Sequence, residues 1–488
     1  MRLITIICLF VSLTVTAQDT LRLTLDEAII RARSRSVDAA VALNELRTAY
    51  WEYRTYRAEL LPELTFNATV PAYRKQYSAY MDSEGSYTFV RNNYLQMTGE
   101  LAMTQNIWLT GGSLSLNTSL DFYRQLDGDK YNRFMSIPVA LTLNQPIFGV
   151  NTVKWGRKIE PVRYAEAKAK FLSDTETVAM NAIGYYFNLL MANENLEIAQ
   201  QNLDNATRLY EVAKEKRAMG QISENDLLQM ELNLLNARST YTDYQSNLRS
   251  HMFTLRSFLD IDEAVEIVPD IPSHIPTIDI TYADALDRAL ANNKFAKNLR
   301  RRQLEADYEV AKAKGNLRQI SLFAQVGYTG TDHTFGSAYN NLKDNQVVEI
   351  GFSIPILDWG KRRGKVKVAE SNRQVVESRL RQETMNFSQD LFVLVERFCN
   401  QMEQLAIADK ASEIAQRRYD TNVETYLIGR ISTLDLNDSQ VKKDESRQTY
   451  VNELYQYWYY FYQLRSLTLW DYERGTGIDA DIDRIVKN

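Results

Sequence analysis

Residues able to do covalent chemistry are few in this chain and do not converge. His251, His274 and His333 are scattered and lack metal-ligand spacing. The two cysteines, Cys8 and Cys399, do not neighbour a base. No nucleophile–base arrangement, phosphate-binding glycine loop or metal cluster appears, so neither an enzyme, a cofactor nor a metal is expected. What does recur is a carboxylate behind a glycine. Gly220-Gln221-Ile222-Ser223 leads to Asp226, and Gly429-Arg430-Ile431-Ser432 leads to Asp435, with Asp438 just beyond. A negative group in the first turn of a helix is stabilised by the helix's free N–H groups. The chemistry on offer is therefore electrostatic.

Those carboxylates need helices to hold them. All nine prolines lie at a few places, leaving 162–268 and 356–488 proline-free and rich in Ala, Leu, Glu, Gln, Arg and Lys, a composition that favours long helices. Leu196, Ala199, Leu203, Ala206, Tyr210 and Ala213 are spaced 3-4-3-4-3, and Leu227, Met230, Leu234, Ala237, Tyr241 and Tyr244 resume that spacing after the glycine. Each run is a heptad seam, and together they predict an antiparallel helical hairpin turning at Gly220. At ~1.5 Å per residue, roughly 55 residues before that glycine would make a rod about 80 Å long.

The two glycine phrases lie 209 positions apart, and Arg208/Arg417, Tyr210/Tyr419, Asp226/Asp435, Arg238/Arg447 and Leu255-Arg256-Ser257/Leu464-Arg465-Ser466 match in the same register. Earlier in the chain the offset becomes 257, pairing residues 24–32 with 281–289. The chain is thus a tandem repeat. Its first copy, 18–265, carries about 48 extra residues between positions 70 and 137; a proline-bearing linker, 266–280, leads to the second copy, 281–470, and a tail, 471–488.

Strand signals fall between the helices. Leu64, Phe66, Ala68 and Val70 alternate with Thr65, Asn67 and Thr69, and Val348, Ile350, Phe352 and Ile354 alternate with Glu349, Gly351 and Ser353. Such alternation fits antiparallel strands with one apolar face. The surplus reads as one added hairpin, "GELAMTQNIW" and "SLSLNTSLDF" about a Thr110-Gly111-Gly112 turn. Segments 73–93 and 328–345, with Tyr73, Tyr77, Tyr80, Tyr87, Tyr328, Phe335 and Tyr339, read as aromatic-bearing loops. The fold class is mixed α+β, predominantly α.

Residues 1–17 read as a secretory signal peptide, one basic residue and an apolar stretch closing on Val15-Thr16-Ala17. Its removal leaves 56 Lys and Arg against 62 Asp and Glu, which argues against a nucleic-acid partner. No later segment approaches ~18 consecutive apolar residues, so membrane spanning would require a β-barrel.

An exported, duplicated chain with over-long helical hairpins and paired G-x-I-S-x-x-D tips resembles the TolC-like outer-membrane efflux proteins. Supporting segments are "LLPELTF", "QPIFG" and "IPILDWGKRRG". The resemblance implies a homotrimer in the outer membrane of a Gram-negative bacterium. Its strands would form one shared barrel, four per protomer as a rule, and its helices a periplasmic tunnel. It implies a passive exit duct of a tripartite efflux or type I secretion system, served by an inner-membrane pump and a periplasmic adaptor (membrane fusion protein). It further implies a gate of Tyr426 with Asp226, an acidic constriction of Asp435 and Asp438, and adaptor docking at Gly220–Ser223 and Gly429–Ser432. The family's gate arginine is replaced by Ile431. The alternative is an exported periplasmic coiled-coil scaffold without a pore.

Overall fold

The computed structural model describes residues 20–81, 83, 85–128, 130–317, 319–340, 342–353, 357–427, 430, 431 and 433–487. The signal segment 1–17, Ile354, Gly429 and Ser432 lie outside the described residues, as does the side chain of Tyr426.

In chain order the elements are β1 (Thr20–Leu23), α1 (Leu25–Arg35), α2 (Val37–Glu59), β2 (Glu63–Met81), β3 (Tyr87–Asn106), β4 (Ser113–Gln125), β5 (Asn132–Pro146), α3 (Thr152–Ala218) and α4 (Glu224–Leu259). The second half follows with β6 (Glu266–Pro269), α5 (Tyr282–Asn292), α6 (Lys294–Gly315), β7 (Gln319–Asp332), α7 (Phe335–Asn340), β8 (Leu342–Ser353), α8 (Lys361–Leu427) and α9 (Thr433–Thr468). Two short strands, β9 (Trp470–Asp471) and β10 (Thr476–Gly477), and α10 (Ile482–Lys487) close the chain.

The repeat is visible in these boundaries. Helices α3 and α8 each have 67 residues and α4 and α9 each have 36, at the sequence offset of 209. The first helix of each half, α1 and α5, has 11 residues. Between those landmarks the halves differ: four long strands in the first, two in the second.

The chain divides into two compact units. The first comprises Met1–Leu46, Lys168–Asn293 and Asn386–Asn488. Its core joins Leu23, Ile183, Tyr186, Leu190, Leu255, Leu259, Phe398, Tyr457 and Phe461. The aromatic run 455–462 therefore packs inward, with Tyr457, Trp458, Phe461 and Tyr462 buried. The heptad-seam positions of α3 and α4 are buried or half-buried while most of their neighbours are exposed, as a seam requires. Residues 266–280 are more than a linker: β6 pairs in parallel with β1, and the Tyr186 hydroxyl donates to the carbonyls of Leu23 and Asp270 beside that pair. Glu176, almost fully buried, is held by Arg33 at 2.6 Å and Arg465 at 3.2 Å, and Arg465 reaches Asp471 at 2.9 Å. This charge cluster links the two sequence repeats within one unit.

The second unit comprises Arg47–Ala167 and Lys294–Met385 and holds one antiparallel sheet in the order β2-β3-β4-β5-β7-β8. The expected added hairpin is β3–β4, paired inside this sheet. The aromatic segments read as loops are mostly regular structure. Residues 73–81 and 87–93 are strand, and 328–345 contains the end of β7, helix α7 and the start of β8. The register of β2 against β3 shifts between Thr69 and Ala72, so the inside–outside parity changes and the strand continues through a point where simple alternation fails. Helix α3 begins at Thr152, ahead of the proline-free run, so Pro161 lies inside it. Proline there removes one N–H donor without ending the helix.

Candidate functional site

The first tip is built by two local motifs. Gly220 adopts φ of 73°, its N–H donates to the Arg217 carbonyl at 2.9 Å, and the N–H of Gln221 donates to the Lys216 carbonyl at 2.9 Å. That is a Schellman closure, with glycine where a side chain would be strained. Ser223 then caps α4: its hydroxyl accepts from the Asp226 N–H at 3.1 Å, and Asp226 accepts from the Ser223 N–H at 3.1 Å. The Ser223 hydroxyl also donates to the Asp226 carboxylate at 2.7 Å, and this bond first, then that from the Ser223 N–H, holds the exposed carboxyl below its ordinary pKa. Among the described residues its hydrogen-bonding partner is thus Ser223, its own helix cap.

The second tip shares one bond of this closure among the described residues. The Arg430 N–H donates to the Thr425 carbonyl at 3.1 Å, the counterpart of Gln221 to Lys216. Arg430 is exposed and Ile431 half-buried. Asp435 and Asp438 are exposed on the first turns of α9, and Asp438 is paired with Arg418 of α8 at 2.7 Å. Gly220–Ser223 and Asp226 thus lie at the first tip, and Arg430, Ile431, Asp435 and Asp438 at the second.

Links between the hairpins were not singled out from the sequence. The Asn205 side-chain amide donates to the Tyr419 hydroxyl at 2.8 Å, the Asn202 amide to Asp444 at 2.9 Å, and Arg447 to Glu194 at 2.7 Å. Burial first, then Asp444, pushes the Tyr419 pKa up. Tyr419 and Arg447 were legible only as matched repeat positions. Of their partners, Glu194 also matches in the 209-residue register, with Glu403, while Asn205 stands against Ile414 and carries no repeat signal.

The sheet supplies the other half of the site. Leu64, Met103, Leu116, Leu141 and Val326 stand opposite one another across five successive strands. One residue away on each strand, the row reads Glu63, Thr104, Ser115, Thr142 and Gln325. Period two turns the first row to one face and the second to the other. The apolar row is exposed or half-exposed, with Leu64 at 66%. On the polar face Thr98 donates to Asp121 at 2.5 Å, Gln96 to the Tyr123 hydroxyl at 2.9 Å, and Thr104 bonds Ser115 at 3.1 Å. Exposed aromatics flank the apolar band at both ends: Trp108 and Trp359 on the helix side, Tyr77, Tyr87 and Phe89 on the other. An apolar outer face between aromatic girdles, backed by a polar face, is the pattern of a strand wall in lipid. No helix among the described residues is long and apolar enough to cross a membrane.

Residues 28–259 and 285–468 match the outer membrane efflux protein family. The chain belongs to this family. As an outer membrane efflux protein it is a channel, not an enzyme. TolC of Escherichia coli (strain K12) is 21% identical over 356 residues, 69% of either chain. The Campylobacter jejuni CmeC outer membrane channel aligns with a TM-score of 0.66 at 16% identity, covering 95% of this chain and 88% of its own. The Vibrio cholerae outer membrane protein VceC gives 0.64 at 14% identity, covering 93% and 97%, and the open state of Neisseria gonorrhoeae MtrE gives 0.59 at 14%, covering 94% and 90%. The efflux protein thus shares its whole-chain fold with solved outer membrane channels.

Proposed function

We propose that this efflux protein is the exit duct of a tripartite efflux or type I secretion system. It passively passes substrate handed over by an inner-membrane pump and a periplasmic adaptor. Residues 1–17 direct export and are removed. The mature chain is organised as repeats 18–265 and 281–470 joined by 266–280, with 471–488 as a tail.

The observation that carries this reading is the two-faced sheet with open edges. Among the described residues, strands β2 and β8 each pair on one side only. An unpaired edge in hydrocarbon costs several kcal/mol per backbone group, so the sheet is stable in lipid only when closed by other copies. A homotrimer closes it in the outer membrane of a Gram-negative cell, with the hairpins reaching into the periplasm.

At the tips, Tyr426 and Asp226 form the gate and three copies each of Asp435 and Asp438 the acidic constriction, which favours cations. With Ile431 where the family has an arginine, one ion link of the gate is lost, and the Arg418–Asp438 pair ties the two helices of the second hairpin to each other. Gly220–Ser223 and Gly429–Ser432 dock the adaptor, since glycine turns let a partner helix approach closely.

Photo-crosslinkers at Gln221 and Arg430 test this in intact cells. Capture of a periplasmic adaptor at both positions is expected. If no adaptor is captured and the protein leaves membranes in a carbonate wash, the chain is a periplasmic scaffold.

A further inference from the structure

The second repeat contributes two strands to the sheet, β7 and β8, and the first contributes four. Hairpin β3–β4 is the difference, and it is no appendage. It lies between β2 and β5, the strands that correspond to β7 and β8, so the sheet cannot close past it without breaking ladders of 17 and 11 residue pairs.

The hairpin also has the full properties of a membrane wall. A tilted strand crosses a bilayer in about 9–11 residues. β3 has 20 residues and β4 has 13, against 12 in β8, the shortest of the six. Leu95, Met97, Leu101 and Met103 on β3 and Leu114, Leu116, Leu120 and Phe122 on β4 fall on the apolar face by register. Glu100, Asn117 and Asp121 fall on the polar face, where Asn117 donates to Glu100 at 3.4 Å. A soluble extension has no use for an apolar row continuous with that of its neighbours.

We infer that the efflux protein closes an eighteen-stranded barrel, six strands from each of three copies, and that the inserted hairpin sets its bore. This rests on the trimer proposed above. With strands about 4.8 Å apart and tilted near 40°, eighteen strands give a backbone diameter of roughly 36 Å, against roughly 24 Å for twelve. Barrels of about 16–18 strands leave an open aqueous channel. The membrane segment then imposes no size filter on small solutes, and a hydrated polymer such as an extended polypeptide loop also passes. Size selection falls entirely to the helical tips. Glu100 and Asp121, carried on the insert, put six carboxylates into the wall of that bore.

Electron cryomicroscopy of the full-length protein in lipid nanodiscs counts strands and copies directly. Three copies around eighteen strands is the expected result. Three copies around twelve strands, with β3–β4 outside the wall, overturns the inference and leaves the exit-duct reading standing. Two copies around twelve strands overturns both the eighteen-strand wall and the trimer. A second readout uses single cysteines in a Cys399→Ser background. In cells, Asn117→Cys should react with a water-soluble maleimide at least tenfold faster than Leu116→Cys. Equal rates would place β4 outside the wall.

Discussion

Ser223 and Asp226 illustrate how a single residue can serve the fold and the proposed gate together. The Ser223 hydroxyl satisfies an N–H that α4 cannot satisfy internally, so Ser223→Ala should cost about 1 kcal/mol locally, seen as lost hydrogen-exchange protection over the first turn of α4. Because the Asp226 carboxyl is held below its ordinary pKa, its contribution is complete above the usual carboxylate range and is lost as pH falls through the depressed value. Protection at this turn, corrected for intrinsic exchange, should therefore fall only in acid, and Asp226→Asn should remove that step. A step near neutral pH would contradict the cap. Glu176 carries a larger effect. Replacing it with Gln leaves Arg33 and the buried Arg465 without their shared partner, and breaking a buried pair costs on the order of 3–5 kcal/mol. A clear drop in the thermal midpoint of the detergent-solubilised protein is expected, and an unchanged midpoint would show the cluster to be solvated.

At the scale of elements, the two faces of the sheet should respond oppositely to charge. Leu116→Arg places a cation in lipid and should destabilise assembly by about 2–4 kcal/mol, whereas Asn117→Arg, one residue away on the polar face, should assemble normally. Yield of heat-resistant oligomer in the outer membrane reads both, and equal losses would contradict the assigned faces. Gly330 makes a similar test at the edge of α7. An added Cβ there would meet the Ala338 carbonyl oxygen at 1.8 Å, and Ser136 donates to that same oxygen at 2.7 Å. Gly330→Ala should therefore displace α7 while leaving the sheet paired. The long elements were legible in the sequence because their signals are periodic and repeated. Heptads marked α3 and α4, the 209-residue offset marked α8 and α9, and alternation about Gly111-Gly112 marked the added hairpin. What was missed has no period. The parity change near Pro71 disguised the outer part of β2 as a loop, helix α7 is only 6 residues long, and β1–β6 is a pairing of short segments far apart in the chain.

For the whole molecule, duplication explains the likeness of the two tips. One backbone bond is common to both, Gln221 to Lys216 and Arg430 to Thr425, while the residues around it differ. The first tip offers Arg217 where the second has Tyr426, and Gln229 where the second has Asp438. Sequence revealed that shared shape, but it could not reveal Arg418 as the partner of Asp438, because the contact joins two helices across a turn and leaves no spacing signature. In the proposed duct the second hairpin is the charged, moving lip and the closed sheet its fixed frame. Single-channel recording of the purified, full-length protein in a planar bilayer tests this most directly. A small, cation-preferring conductance is expected, rising severalfold when Asp226→Ala removes the proposed gate carboxylate. A protein that passes no current as wild type or as Asp226→Ala, and that migrates as a monomer by native mass spectrometry, would contradict it.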